Sequence, residues 1–368
     1  MRMKWKQQIN GLKAYQPGRS IEEVKKAYGL EKVVKLASNE NPFGSSNQAK
    51  EWVRSYDASF AIYPDGYTTE LRLALSEAIG VKEKQLIFGN GSDELILMIS
   101  RALLEPGKNT VMAAPTFPQY RHNARVEGAE IREIPLIDGA HDLDGMLRQI
   151  DENTAVVWLC SPNNPTGIYI SNDELTAFLD KVPEDVLVVL DEAYYEYVTA
   201  DDYYDSVKIV EQYKNVLALR TFSKIYGLAS FRVGYGFGSE ELIRMLDPVR
   251  EPFNVNTLGS GAALAALADQ EFIDTCREEN EKGREQFYQF CKEENLNYYP
   301  SQGNFVLIYF PCDSDEVFEY LMKNGYIIRS GNALGCPGAV RVTVGSKEQN
   351  EGVIQAMKQF LVEKAIRQ

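Results

Sequence analysis

From residue 71 to about residue 240, short runs of consecutive apolar residues alternate with stretches whose apolar positions recur every three or four residues. The runs at 85–89, 110–113, 130–135, 155–160, 186–190, 216–219 and 233–236 predict strands. Helical periodicity fills the intervals at 93–104, 117–127, 172–181 and 207–213. Runs such as Val186-Leu-Val-Val-Leu190 show no polar alternation, as expected of strands covered on both faces. A βαβ rhythm of this kind belongs to an α/β fold built on a mostly parallel sheet.

The pattern changes near 250–256. A long helical region over 258–295 follows, then strand-like runs at 304–310 and 340–344, with helical periodicity at 314–324 and 346–364. This reads as a smaller α+β domain. The expected division is an N-terminal arm (1–35), a large domain (36–255) and a small C-terminal domain (256–368). The arm precedes the βαβ rhythm and is too short to form a core alone, so it is expected to pack with the small domain.

Composition narrows the function. A chain of 368 residues exceeds one small core, and 44% hydrophobic with 25% charged residues is ordinary for a globular protein. The net charge of −14 repels phosphate backbones and anionic lipid, which disfavours nucleic-acid and membrane-surface roles. Two histidines, His122 and His141, cannot supply a three-histidine metal site and are read as surface residues. The five cysteines are widely spaced without a CxxC, which fits reduced thiols in a cytoplasm better than a disulfide scaffold or a zinc site. The basic N-terminus lacks the apolar run of a signal peptide, and the most apolar long window, 258–268, is too short to span a bilayer. A soluble protein is expected.

Four segments carry candidate chemistry. In Leu86-Ile-Phe-Gly-Asn-Gly-Ser-Asp-Glu-Leu95 a strand ends in a glycine turn and a helix begins near Ser92-Asp93. The free amides of such a start suit a phosphate, although a plain capped helix has the same pattern. Glu94 occupies the place of the third glycine of a dinucleotide fingerprint. Ser161-Pro-Asn-Asn-Pro-Thr-Gly167 is a rigid loop at a strand end, where open α/β sheets bind ligands, or an ordinary turn. Val186-Leu-Val-Val-Leu-Asp191 delivers a carboxylate from a buried strand, which is costly unless a cation or donor meets it. Thr221-Phe-Ser-Lys-Ile-Tyr-Gly-Leu-Ala-Ser-Phe-Arg232 places one lysine directly after a core strand and an arginine eight positions later.

Together these meet the needs of pyridoxal 5′-phosphate: an amine for its aldehyde, a carboxylate for its ring nitrogen, and amides, hydroxyls and a guanidinium for its phosphate. Their order and spacing resemble the fold-type I pyridoxal-phosphate enzymes over nearly the whole chain. Leu36-Ala-Ser-Asn-Glu-Asn-Pro-Phe-Gly44, Tyr63-Pro-Asp-Gly66, Pro115-Thr-Phe117, Arg329-Ser-Gly331 and Val340-Arg-Val-Thr-Val-Gly345 resemble the histidinol-phosphate aminotransferase family among the class II-like aminotransferases. The resemblance implies a large, mostly parallel-sheet domain with a smaller α+β domain. It implies amino transfer between L-glutamate and imidazole acetol phosphate in histidine biosynthesis, in a cytoplasmic homodimer. By the same match Lys224 is the Schiff-base lysine and proton shuttle, Asp191 pairs with the ring nitrogen, and Asn164 and Tyr194 hold the ring's 3-oxygen. Phe117 stacks on the ring. Gly91, Ser92, Asp93, Ser223 and Arg232 hold the phosphate, which Tyr63 reaches from the partner subunit. Arg341 grips a substrate anion, with Arg329, Tyr15 and Asn39 among the substrate-binding positions.

One position departs from the family: Ile225 follows the lysine, where a small residue is usual. An aromatic aminotransferase or a phospho-amino-acid decarboxylase keeps the fold with another substrate. A non-catalytic pyridoxal-phosphate-binding regulatory domain would normally need a basic DNA-binding module, for which the acidic chain has no space. A dinucleotide-dependent dehydrogenase is disfavoured by the missing glycine and by the lack of an acidic strand end about 20 residues after Gly91.

Overall fold

All seven apolar runs of the large domain form strands. The computed structural model describes residues 3–12 and 18–367. Among these, β1 (Val34–Lys35) is followed by β2 (Leu86–Gly89), β3 (Asn109–Ala114), β4 (Glu130–Pro135), β5 (Thr154–Cys160) and β6 (Leu187–Asp191). Then come β7 (Val216–Thr221), β8 (Gly234–Gly238), β9 (Phe305–Tyr309), β10 (Tyr326–Ile327), β11 (Arg329–Ser330) and β12 (Ala339–Thr343).

The large sheet runs β2-β8-β7-β6-β5-β3-β4. Only β8 is antiparallel to its neighbours. Because β8 is reversed, its first residues lie at the same edge as the last residues of the other six strands. Side chains alternate between two buried faces. Val188 and Leu190 join Phe88, Leu159, Ala218 and Phe222 on one, whereas Leu187 and Val189 join Met112, Tyr120, Trp158 and Leu219 on the other. The doubled burial explains the unbroken apolar runs.

The helical region expected over 258–295 is two helices, Thr257–Ala268 and Gln270–Glu293. Asp269 divides them, its carboxylate accepting from the Phe272 amide at 3.4 Å. The first packs on helices Asn47–Ser55 and Thr69–Ile79. The second starts in the large core with Ile273 and Cys276 and ends in a separate core with Phe287, Phe290 and Cys291. That second core covers the antiparallel sheet β11-β12-β9.

Short elements gave no periodic signal. β1 and β10 are two residues each, paired in parallel as Val34↔Tyr326 and Lys35↔Ile327. Helix Ile21–Tyr28 opens with a capping box between Ser20 and Glu23 and buries Val24 near Met322 and Ile327. Earlier in the chain, Lys6 pairs with Glu127 at 3.3 Å. The described parts of the first 35 residues therefore touch both the small sheet's surroundings and the large unit.

His122 is exposed, but His141 is not the surface residue expected of it. Its Nε2 is enclosed, and burial pushes its pKa down to about 4. The five cysteines are free thiols. Among the described residues no helix is long and apolar enough to cross a membrane, and no group of side chains is arranged to hold a metal ion.

Candidate functional site at the strand ends

The four chemistry-bearing segments converge on one edge of the large sheet because each follows a strand that ends there. β2 delivers Asn90-Gly91, β3 delivers Pro115–Phe117, β5 delivers Ser161–Asn164, β6 ends in Asp191, and β7 delivers Ser223-Lys224. The reversed β8 begins at the same edge, directly after Arg232.

At one end of the site, Ser223 Oγ accepts from Arg232 Nη1 at 3.1 Å. The guanidinium also reaches the Asn90 carbonyl and Asp93 Oδ2, each at 3.4 Å. Helix Gly91–Leu103 starts here with its first amides unpaired by the helix itself. Gly91 has φ +72, and a Cβ there would run into the Arg232 guanidinium. A Cβ on Gly234 would come within 2.5 Å of the Gly91 carbonyl carbon and the Ser92 nitrogen. The two glycines let backbone and guanidinium close around a small space lined by donors, as an anion such as phosphate requires.

Asp191 lies deeper, 3% exposed. Its Oδ2 accepts from Tyr120 Oη at 2.5 Å and its Oδ1 from the Ala193 amide at 3.2 Å. Burial raises its pKa to about 6, and the Tyr120 hydrogen bond opposes the rise. Tyr120 stacks on Trp158 with centroids 4.8 Å apart and 11° between planes, while Phe117 meets its edge at 5.6 Å. A carboxylate in these surroundings suits a protonated aromatic nitrogen.

Between these ends lies Lys224, part-exposed, its Nζ donating to the Ser38 carbonyl at 3.3 Å and standing 5.8 Å from the centre of the Tyr194 ring. Burial, and then the positive charge of Arg341, lowers its pKa to about 8. Ile225 is fully buried in the large core, and its carbonyl accepts from Asn41 Nδ2 at 2.6 Å. The residue that departs from the family thus packs into the large core.

Two networks orient the neutral polar groups. Arg341 Nη1 donates to Asn164 Oδ1 at 2.5 Å and Nη2 to the Ala37 carbonyl at 2.7 Å. With its oxygen engaged, Asn164 offers its NH₂ as a donor. Asn39, at φ +55, donates from Nδ2 to Tyr194 Oη at 2.9 Å, and its Oδ1 accepts from Thr343 Oγ1 at 3.1 Å. Tyr194 Oη accepts there, so its own proton can donate elsewhere. In the small sheet Arg329 stands opposite Arg341 in the β11–β12 ladder, which puts both side chains on one face.

Of the residues expected at the site, Gly91, Ser92, Asp93, Phe117, Asn164, Asp191, Tyr194, Ser223, Lys224, Arg232, Asn39 and Arg341 lie along this edge, and Arg329 faces it from the ladder. Tyr63 is 78% exposed and stacks on Phe253 at 4.9 Å, on an outer face next to Asn254, whose carbonyl accepts from Asn90 Nδ2 at 2.5 Å. Tyr15 lies outside the described residues. Sequence reasoning missed Tyr120, Trp158 and Thr343. Tyr120 had a usable signal, since it lies in the first turn of the helix that starts directly after Phe117.

Residues 31–357 match the model of the family Aminotransferase class I and II. Histidinol-phosphate aminotransferase of Geobacillus sp. (strain WCH70) is 60% identical over 99% of this chain and 100% of the relative. The enzyme of that name from Bacillus subtilis (strain 168) is 58% identical over 98% of this chain and 100% of its own length. The crystal structure of histidinol-phosphate aminotransferase from Sinorhizobium meliloti in complex with pyridoxal-5′-phosphate superposes with a TM-score of 0.89 at 26% identity, covering 98% of each chain. The chain belongs to the class I and II aminotransferases.

Proposed function

We propose that the chain is a pyridoxal-phosphate-dependent aminotransferase that interconverts L-histidinol phosphate and 2-oxoglutarate with imidazole acetol phosphate and L-glutamate, in histidine biosynthesis. The names and full-length similarity of its relatives support the substrate pair. The observation that carries the chemistry is a lysine of lowered pKa on the strand edge that also holds a buried aspartate.

When bound, pyridoxal 5′-phosphate supplies an aldehyde for amines and a protonated ring that takes up carbanion electrons. In this reading Ser223 Oγ, the Arg232 guanidinium and the amides of Gly91, Ser92 and Asp93 hold its phosphate. Asp191 holds the proton on the ring nitrogen. Asn164 and Tyr194, oriented by Arg341 and Asn39, donate to the 3-oxygen, and Phe117 covers the ring. Lys224 would supply the amine for the aldehyde carbon, and that amine, its pKa lowered to about 8 by burial and Arg341, is the group that would move the proton at the substrate's Cα. Arg341 binds the substrate's anionic group, with Arg329, Asn39 and Tyr15 around it.

The active form in this reading is a cytoplasmic homodimer. Phe60, Ile62, Tyr63, Tyr67 and Phe253 expose apolar surface in one region, as a face that meets a second copy would. Tyr63 would there reach the phosphate of the partner subunit. Two measurements test the assignment. Single-turnover absorbance changes should be fastest with histidinol phosphate among histidinol phosphate, phenylalanine, tyrosine and O-phosphothreonine. Borohydride should fix the cofactor to the peptide that carries Lys224, and an adduct on any other lysine removes the central residue.

A further inference from the structure

Tyr120 belongs to no motif that identified the site, yet its hydroxyl makes the shortest hydrogen bond to the buried carboxylate at the site's centre. It donates to Asp191 Oδ2 at 2.5 Å and is itself fully buried. Its ring cannot turn away, because it lies flat on Trp158, whose Nε1 is tied to Thr110 Oγ1 at 2.8 Å. Thr110 in turn donates to the Val156 carbonyl at 2.8 Å, which anchors the stack to β5. Helix Pro118–Glu127, which carries Tyr120, begins immediately after Phe117. One short segment therefore places both the ring-covering aromatic and the donor to Asp191.

We infer that Tyr120 is a positioning residue for cofactor binding: its hydroxyl fixes the rotamer of Asp191 and favours its ionised form, so that the carboxylate is preset to meet a protonated ring nitrogen. The inference rests on the reading of Asp191 given above. A donor to a carboxylate stabilises the charged form, and it does so most strongly where water is excluded.

The surroundings of Asp191 give this donor unusual leverage. Tyr120 faces it from helix Pro118–Glu127, Cys160 from β5, Asp93 from helix Gly91–Leu103, and Glu192 and Tyr194 from its own segment. Cys160 is held neutral by burial, and Glu192 is engaged by Arg220. Neither acid near Asp191 favours its charge, and both Asp93 and Glu192 oppose it. With the hydroxyl removed, the carboxyl would take up a proton at a higher pH than its present value of about 6. Binding a protonated ring nitrogen would then require release of that proton, so affinity would fall as pH falls, beginning at a higher pH than in the wild type.

The test uses Tyr120→Phe, which keeps the ring and its stack on Trp158, and Tyr120→His, which restores a donor. Apoenzymes of both, of the wild type and of Asp191→Asn are titrated with pyridoxal 5′-phosphate from pH 6 to 9, read by cofactor absorbance and tryptophan fluorescence. Tyr120→Phe should bind roughly tenfold more weakly near pH 6.5, a shift of about one pKa unit, with the deficit shrinking toward pH 9. Tyr120→His should recover much of the affinity. The inference falls if Tyr120→Phe matches the wild type across the range while Asp191→Asn does not. It also falls if Tyr120→Phe loses affinity equally at every pH, the mark of a purely structural hydroxyl. Unchanged binding by Asp191→Asn as well would remove the role of Asp191 and with it that of Tyr120.

Discussion

Asp191 and Glu192 are neighbours at the end of one strand, point to opposite faces of the sheet, and are both shut away from water, 3% and 0% exposed. Their partners differ. Glu192 Oε2 accepts from Arg220 Nε at 2.8 Å, and Arg220 is held by Ser206 and by the Tyr195 ring 3.5 Å away. Asp191 receives only neutral donors, Tyr120 Oη and the Ala193 amide, among the described residues. A buried acid is costly unless a cation meets it. On one face the chain supplies that cation and the pair supports the fold. On the other it does not, and the cost is carried by a site whose cofactor brings a positive ring nitrogen. Of two adjacent buried carboxylates, the one left with neutral partners is the one we assign to function.

The comparison breaks most visibly at Lys224 and Asp191. Lys224→Ala should retain the cofactor weakly and lose turnover, because it removes the amine assigned to the link; measurable steady-state turnover would overturn this. Asp191→Asn, nearly the same in volume, should lose several orders of magnitude in kcat, since an amide cannot hold the ring proton. It should nevertheless fold better without cofactor. The folded carboxyl has its pKa raised from 3.8 to about 6, so the folded state holds a proton that the unfolded state releases as pH rises between these values. The wild-type apoenzyme therefore loses stability over that window, by roughly 3 kcal/mol once pH exceeds 6. Asp191→Asn avoids the loss. Thermal melts of the two apoenzymes should coincide near pH 4 and diverge toward pH 7 with the variant the more stable.

Glu192→Gln should behave in the opposite way. It strands the Arg220 charge in a buried setting, which costs about 3–5 kcal/mol of stability. The surviving folded enzyme should keep near-native kcat and cofactor absorbance. If Glu192→Gln impaired the cofactor spectrum as Asp191→Asn does, the assignment of fold to one face and function to the other would fail.

How much of this was visible in the chain depends on distance along it. The large sheet was legible because strands buried on both faces are written as unbroken apolar runs, and the motifs stand at their ends. Asp191, Ser223-Lys224 and the Ser161–Gly167 loop could therefore be placed together before any coordinates. The break at Asp269 was hidden because the small apolar run before it and the amphipathic stretch after it both read as helix, with no glycine or proline between them. Strands β1, β10 and β11 are too short for a pattern and exist through pairings such as Val34↔Tyr326, which only the folded chain supplies. His141 read as surface because a lone histidine between Ala140 and Asp142 carries no sign of what covers it. Arg341 meets Asn164 across 177 positions, so only the family resemblance, not local pattern, brought them to one site.

Buried arginines offer the finest test of the same comparison. Arg220 and Arg341 are 5% and 6% exposed, each beside an aromatic ring. Arg220 is bonded to the structural carboxylate, whereas Arg341 donates to Asn164 Oδ1 and to the Ala37 carbonyl at the functional edge. Both half-reactions use one pocket, which must accept glutamate and a phosphorylated amino alcohol that lacks a carboxylate. A guanidinium fork can pair with either anion, whereas an ammonium offers a point charge without the paired geometry. Arg341→Lys should therefore lower kcat/KM for both substrates together, by roughly 2–4 kcal/mol for a desolvated contact. Loss of the donor to Asn164 should also perturb the cofactor's absorbance, because the Asn164 amide would no longer be held with its NH₂ free to donate. Arg329→Ala, across the ladder, should act unevenly on the two substrates. Equal, unchanged half-reactions in Arg341→Lys would place the shared anion contact on another residue and leave Arg341, like Arg220, a support of the fold.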